Sequence, residues 1–244
     1  RQCLYRLSDM LENCLPEMLN LIIRESGKTA RAALDELRLA VDYCRYYAAE
    51  AERLCADRAP VGTLVCISPW HSPLAVFVGQ IAAALAAGNT VIAKPALQTT
   101  LTAYRAVNIL HSCGIPKAAL QLLTGGADIG AALVQDPRIG GVLFSGSTAT
   151  AKLINHSLGQ RSDLPVFVAE SGGQNVMIAD SSTDIHRLCR DVLHSAFDSA
   201  GQHSTALRLL CVQDDIADQV IAKLRAAADN LIIGNPADAA VEVG

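Results

Sequence analysis

Two short turns carry the residues that could do chemistry. The first is Glu170-Ser171-Gly172-Gly173, a carboxylate directly before a Gly-Gly turn at the end of an apolar run. The second is Ser199-Ala200-Gly201-Gln202, followed at once by His203 and Ser204. Partial burial raises a carboxylate's pKa and suits it to take a proton from a nucleophile or from water. A hydroxyl needs a base beside it to become a nucleophile, as in a Ser-His pair. His203 is adjacent in sequence, but neighbours on an extended turn point apart, so no Ser204-His203 dyad is expected. His194 falls on the preceding helix, and Cys211 lies further on inside a strand, so neither belongs to this turn. If the two turns face each other across a cleft, Glu170 and Ser204 make a base-and-nucleophile site.

Four other segments could hold an anion or a polar ligand. Thr124-Gly125-Gly126-Ala127-Asp128-Ile129-Gly130 and Phe144-Ser145-Gly146-Ser147-Thr148 each place glycine between a strand and a helix. Glycine there lets the backbone approach a pyrophosphate, and the free N–H groups of the next helix, with the Ser147 hydroxyl, complete an anion site. Ser147 equally reads as a plain helix N-cap. Lys94-Pro95-Ala96-Leu97 sets a cation after an apolar strand, and Ile67-Ser68-Pro69-Trp70-His71-Ser72-Pro73 sets an aromatic and an imidazole after another. Taken singly, Lys94 is a solvated surface charge, His71 a partly buried polar residue, and Glu170 a capping or salt-bridged acid.

Rigid elements must stand behind these segments. Up to residue 57 apolar residues recur at helical spacing, as in Leu4, Leu7, Met10 and Leu11, or Leu37, Ala40, Val41 and Cys44. This predicts an N-terminal helical region packed against its neighbour, the alternative being amphipathic helices that bind a partner. After Pro60 short β-rich runs alternate with Ala/Leu-rich helices, the pattern of parallel βαβ units. Strands are predicted over 62–67, 90–93, 120–123, 141–144, 166–168, 176–178 and 207–212, and helices over 74–87, 100–113, 129–134, 148–158, 184–199 and 216–229. The predicted fold class is α/β with an open, doubly wound parallel sheet. Each motif then falls at a strand's carboxyl end, where such sheets bind ligands. The lone candidate boundary is Arg58-Ala59-Pro60.

These motifs, in this order, resemble the aldehyde dehydrogenase superfamily, and most closely the 1-pyrroline-5-carboxylate (glutamate semialdehyde) dehydrogenase half of the bacterial bifunctional proline-utilisation (PutA) proteins. The resemblance implies an N-terminal helical region (1–59), an NAD-binding domain (60–203) and the start of a truncated catalytic domain (204–244). It implies that Glu170 is the base and that Ile67, Ser68, Pro69, Trp70, Lys94, Gly126, Gly130, Phe144, Gly146, Ser147 and Gly172 meet the cofactor. Three positions depart from the family pattern. Ser204 stands at the nucleophilic cysteine, His71 at the oxyanion-holding asparagine, and Leu97 at the acid that grips the adenosine ribose. The expectation is a degenerate or weakly active NAD-dependent dehydrogenase acting on a small aldehyde, with NAD binding weakened by Leu97. A non-catalytic structural domain of a larger proline-utilisation protein is the alternative, and a serine hydrolase of activated esters a third.

The net charge of −4 offers nothing to a nucleic-acid backbone or an anionic membrane, so neither is expected as a partner. No metal site is expected. The eight cysteines show no C-x-x-C pair and are read as reduced core residues, which fits a cytoplasmic protein. The chain opens on Arg1 and stops at Gly244 soon after a strand-like run, so the expected partners include the rest of a longer PutA-like chain, with a homo-oligomer as one form of the parent protein.

Overall fold

The computed structural model describes residues 1–54 and 59–244. The boundary expected at Arg58-Ala59-Pro60 therefore begins outside the described residues. The chain divides into two compact units, one of Arg1–Ser26 with Ala33–Ser171 and one of Gly27–Ala32 with Gly172–Gly244. The cofactor domain expected from the sequence runs on to residue 203.

In the first unit the helical spacing becomes α1 (Gln2–Asn13), α2 (Leu15–Ser26) and most of α3 (Ala30–Leu54). Leu4, Leu7 and Leu11 form the buried stripe of α1, and Met18 and Ile22 that of α2. Pro16 stands in the first turn of α2, where its missing N–H costs nothing, and Gly27 at φ 70° follows the helix end.

Five parallel strands follow, β1 (Thr63–Ile67), β2 (Thr90–Lys94), β3 (Leu120–Leu122), β4 (Ile139–Gly146) and β5 (Val166–Ser171), in the order β3-β2-β1-β4-β5. The helices between them are α4 (Ala75–Ala86), α5 (Thr100–Ser112), α6 (Ala127–Gln135) and α7 (Thr148–Gly159). Side chains alternate across the pleat. Leu64 and Cys66 join the core built with α1 to α5, while Val65 joins Val142, Phe144, Ile154 and Leu158 in a second core. Both faces are covered, as the apolar strands require. The strand order reverses between β1 and β4, and register sets Ile67 level with both Lys94 and Phe144, and Ser145 level with Glu170. That reversal marks the crevice where ligands bind.

β4 packs so closely on β5 that a Cβ on Gly141 would stand 2.6 Å from the Val166 carbonyl oxygen and 3.0 Å from Leu64 Cδ2. Backbone cannot yield as a side-chain tip can. Gly141→Ala is expected to destabilise by about 1–3 kcal/mol, seen as a lower urea midpoint with unchanged slope.

The second unit holds β6 (Asn175–Ala179), α8 (Ile185–Phe197), β7 (Leu207–Val212) and α9 (Asp214–Ala228) around Ala179, Leu188, Val192, Leu207 and Val220. β6 and β7 pair in parallel with each other as a separate two-stranded sheet, in addition to the five-stranded one of the first unit's own strands. An apolar run shows that a strand exists but not which sheet it joins, and here Gly172-Gly173 separates β5 from β6. Among the described residues no helix is long and apolar enough to cross a membrane.

The cysteines also need a correction. The seven described ones are free, but only Cys44, Cys66, Cys113 and Cys189 are buried, while Cys211 is exposed on β7. Burial pushes the Cys44 and Cys66 thiols up to about 12 and so makes them inert. Cys55 lies outside the described residues.

Candidate active site

In the first unit the expected cofactor residues gather at the carboxyl edge of the sheet. The loop after β1 is tied down from several sides. Ser68 N donates to the Lys94 carbonyl at 3.2 Å, and Ser68 and Pro69 are buried. Trp70 is 39% exposed, and the half-buried His71 ring stands edge-on to it, with centroids 6.3 Å apart. Beneath the loop the buried Glu36 carboxylate accepts from Ser72 Oγ at 2.8 Å, Leu74 N at 3.0 Å and Ala75 N at 2.8 Å. It thus satisfies donors at the start of α4 that have no partner within the helix.

Gln80 on α4 spans the switch point. Its Nε2 donates over long contacts to the Ile67 carbonyl at 3.5 Å and to Ser145 Oγ at 3.4 Å, and Ser145 Oγ reaches Glu170 Oε2 at 3.3 Å. Gln80, Ser145 and Glu170 border a cavity of about 240 Å³, together with Tyr43, Tyr47 and Phe144. Burial raises the Tyr43 and Tyr47 phenols, and the nearby Glu170 charge adds to the shift. Glu170 itself is exposed, which corrects the expectation of a partly buried carboxylate. It is the next-to-last residue of β5, which is the edge strand of the sheet among the described residues of this unit.

The residues expected to meet a nucleotide phosphate and ribose stand nearby on the same edge. Lys94 is only 7% exposed, and burial lowers its pKa while Asp128 opposes that shift. Its stem crosses Gly130, where a Cβ would lie 3.5 Å from Cε, and its Nζ donates to the Pro95 carbonyl at 3.3 Å. Gly126 caps α6, and Gly146 precedes α7. A Cβ on Gly146 would stand 2.6 Å from the tip of the Phe144 ring, so a side chain here would require that ring to move. Ser147 Oγ accepts from Thr150 N at 3.1 Å, so the hydroxyl is an N-cap, and the α7 N-terminus is open to solvent around it. A buried ammonium and two glycine-led helix starts on one sheet edge fit a dinucleotide. Leu97 is 62% exposed, and its Cδ1 would lie 4.0 Å from a Cβ on Gly126.

The second unit contains Gly172, exposed just before β6, and the other candidate turn. Ser199, Ala200 and Gly201 take φ of 52°, 56° and 68°, three left-handed residues in succession. Such strain persists only where the surroundings enforce it. Lys28 Nζ donates to Ser199 Oγ at 3.0 Å, Arg208 Nη2 to the Gly201 carbonyl at 3.0 Å, and Asn175 Nδ2 to the Ser204 and Ala206 carbonyls at 2.7 and 2.9 Å. A Cβ on Gly201 would meet the Ala196 carbonyl at 2.7 Å. Ser204 is exposed at the end of this pinned turn. None of Lys28, Asn175, Arg208, Glu36 or Gln80 is singled out as a site residue by the sequence. Only Lys28 leaves a sign, the Glu25-Ser26-Gly27-Lys28 run in which α2 ends.

Compared with known proteins, the chain matches the aldehyde dehydrogenase family over residues 1–244. It is 52% identical over 219 residues to the bifunctional protein PutA of Rhizobium meliloti, covering 88% of this chain and 18% of that protein. It is 46% identical over 248 residues to the PutA of Escherichia coli K12, covering 99% of this chain and 19% of that one. A solved structure of proline utilization A with proline bound in remote sites superposes with a TM-score of 0.98 at 46% identity, over all of this chain and 27% of that chain. The chain thus spans roughly a fifth to a quarter of the length of these relatives.

Proposed function

This chain belongs to the aldehyde dehydrogenase family, as a PutA-like aldehyde dehydrogenase domain, and we propose that it is a much weakened form of an NAD-dependent glutamate semialdehyde dehydrogenase. The single observation behind the weakening is Ser204. A hydroxyl occupies the position where the family pattern has its nucleophilic thiol, at the end of a turn pinned by its neighbours. A thiol with a reference pKa of about 8.5 supplies thiolate near neutrality, and an alcohol does not.

The other roles follow residue by residue. Glu170 is the proton acceptor, kept in place by Ser145. Lys94 holds the adenosine ribose, while Gly126, Gly146 and the α6 and α7 N-termini receive the pyrophosphate. Ile67 to Trp70 and Phe144 line the groove, and His71 is the remaining donor to a developing oxyanion. The bound dinucleotide supplies a hydride acceptor. The site works in the cytoplasm, within a longer PutA-like protein that forms homo-oligomers.

The test is reduction of NAD in the presence of pyrroline-5-carboxylate, followed by absorbance of the reduced cofactor. Little or no turnover is expected, and robust turnover overturns the weakened reading. Calorimetric titration with NAD separates a residual enzyme, which binds saturably, from a purely architectural domain, which does not. Leu97 gives a further expectation. Leu97→Glu restores a charge-assisted acceptor worth about 1.5–3 kcal/mol, so the NAD dissociation constant is expected to fall by at least tenfold.

A further inference from the structure

Lys28 has no role in the chemistry described above, yet it is among the most buried charged residues of the protein, at 2% exposure. Its ammonium donates to Ser199, itself 2% exposed, at the first residue of the left-handed run. A non-glycine residue in this conformation brings its Cβ too close to the following carbonyl oxygen, and Ser199 and Ala200 bear that strain consecutively. Further bonds follow along the loop. Gln202 N donates to the Ser199 carbonyl at 3.1 Å, Arg208 holds the Gly201 carbonyl, and Ala206 N donates to the His203 carbonyl at 3.2 Å. Asn175 then fixes the carbonyls of Ser204 and Ala206. Every one of these partners belongs to the second unit, so the loop is restrained from within that unit.

We propose that Lys28 is a positioning residue, which by anchoring the Ser199 hydroxyl holds the left-handed run and so sets how the side chain at position 204 is presented. The proposal rests on position 204 being the family's reacting position. It also accounts for the Glu25-Ser26-Gly27-Lys28 run. Glu25 caps α5 through Leu101 N and Thr102 N at 2.8 and 2.7 Å, and three residues later Lys28 serves the turn before position 204.

The experiment uses Ser204→Cys as a reporter. Iodoacetamide labelling of the introduced thiol is read by peptide mass spectrometry against the exposed Cys211 as internal reference, and amide exchange is followed at Gln202 and Ala206. Adding Lys28→Met is expected to change the labelling of the introduced thiol relative to Cys211 at least tenfold and to speed Gln202 exchange at least tenfold, with exchange in α9 unchanged. Lys28→Arg, which keeps a donor, is expected to restore most of both. Ser199→Ala removes the same bond from its other end and decides the matter if Lys28→Met does not fold. If Ser199→Ala is folded and neither rate moves, the proposal is overturned. Dehydrogenase turnover of Ser204→Cys is scored separately. Altered labelling without turnover upholds the latch and sinks the functional reading, and turnover with unmoved rates does the reverse.

Discussion

Ser204→Cys is expected to raise NAD-dependent oxidation of pyrroline-5-carboxylate by on the order of 10³-fold or more in the full-length translated protein, since removal of an enzyme's nucleophile costs that much or more. The rest of the apparatus argues for so large a gain from one atom. Asn175 already fixes the Ser204 carbonyl, the left-handed turn before it is held by Lys28 and Arg208, and Glu170 keeps its Ser145 contact. A thiol placed there inherits a prepared backbone. The gained activity is expected to rise with pH as the thiol ionises, toward about 8.5. Adding His71→Asn, which returns an amide donor, is expected to contribute about a further hundredfold in kcat, the scale of one oxyanion donor. Turnover of Ser204→Cys no greater than that of the starting protein sinks the assignment of position 204 as the reacting position.

Much of this is legible in the sequence alone. Alternating β-rich and helical runs after Pro60 point to the parallel sheet because period-two and 3.6-residue apolar patterns are local properties of the chain. The helices of the first 54 residues emerge from the same signal. The separate β6-β7 sheet is not legible, since strand partners are set by long-range packing that neither Val176-Met177-Ile178 nor Leu207 to Val212 encodes locally. The site follows the same division. Glu170, Lys94, Gly126 and Gly146 announce themselves by standing at strand ends. The residues that hold them in place, Glu36, Gln80, Lys28 and Asn175, sit on distant stretches whose local sequence says only helix, turn or strand. Exposure at Glu170 and Cys211 also escapes a reading of the sequence, because position along a strand does not tell whether anything covers it.

The largest effect expected on stability comes from one of those unannounced residues. Glu36→Ala removes the acceptor shared by Ser72 Oγ, Leu74 N and Ala75 N, and leaves three donors without it in a buried setting. Stranding buried donors and a carboxylate's hydrogen bonds costs roughly 3–5 kcal/mol, which for a protein of this size lowers Tm by about 10 °C. Glu36→Gln keeps one acceptor oxygen and is expected to lose about half as much, so the two variants separate the hydrogen bonds from simple loss of volume. The damage is also expected to be local at first. Trp70 is the single tryptophan of the chain and stands two residues before Ser72, so its fluorescence reports this loop directly. In Glu36→Ala the emission is expected to shift at urea concentrations below the global midpoint, while far-ultraviolet circular dichroism still reads native helix. Because the same loop carries His71 and borders the sheet edge proposed to hold the dinucleotide, NAD affinity is expected to fall together with that early transition. Coincident fluorescence and dichroism transitions, with stability within about 1 kcal/mol of the starting protein by the usual scale of surface substitutions, defeat the claim that Glu36 holds the loop.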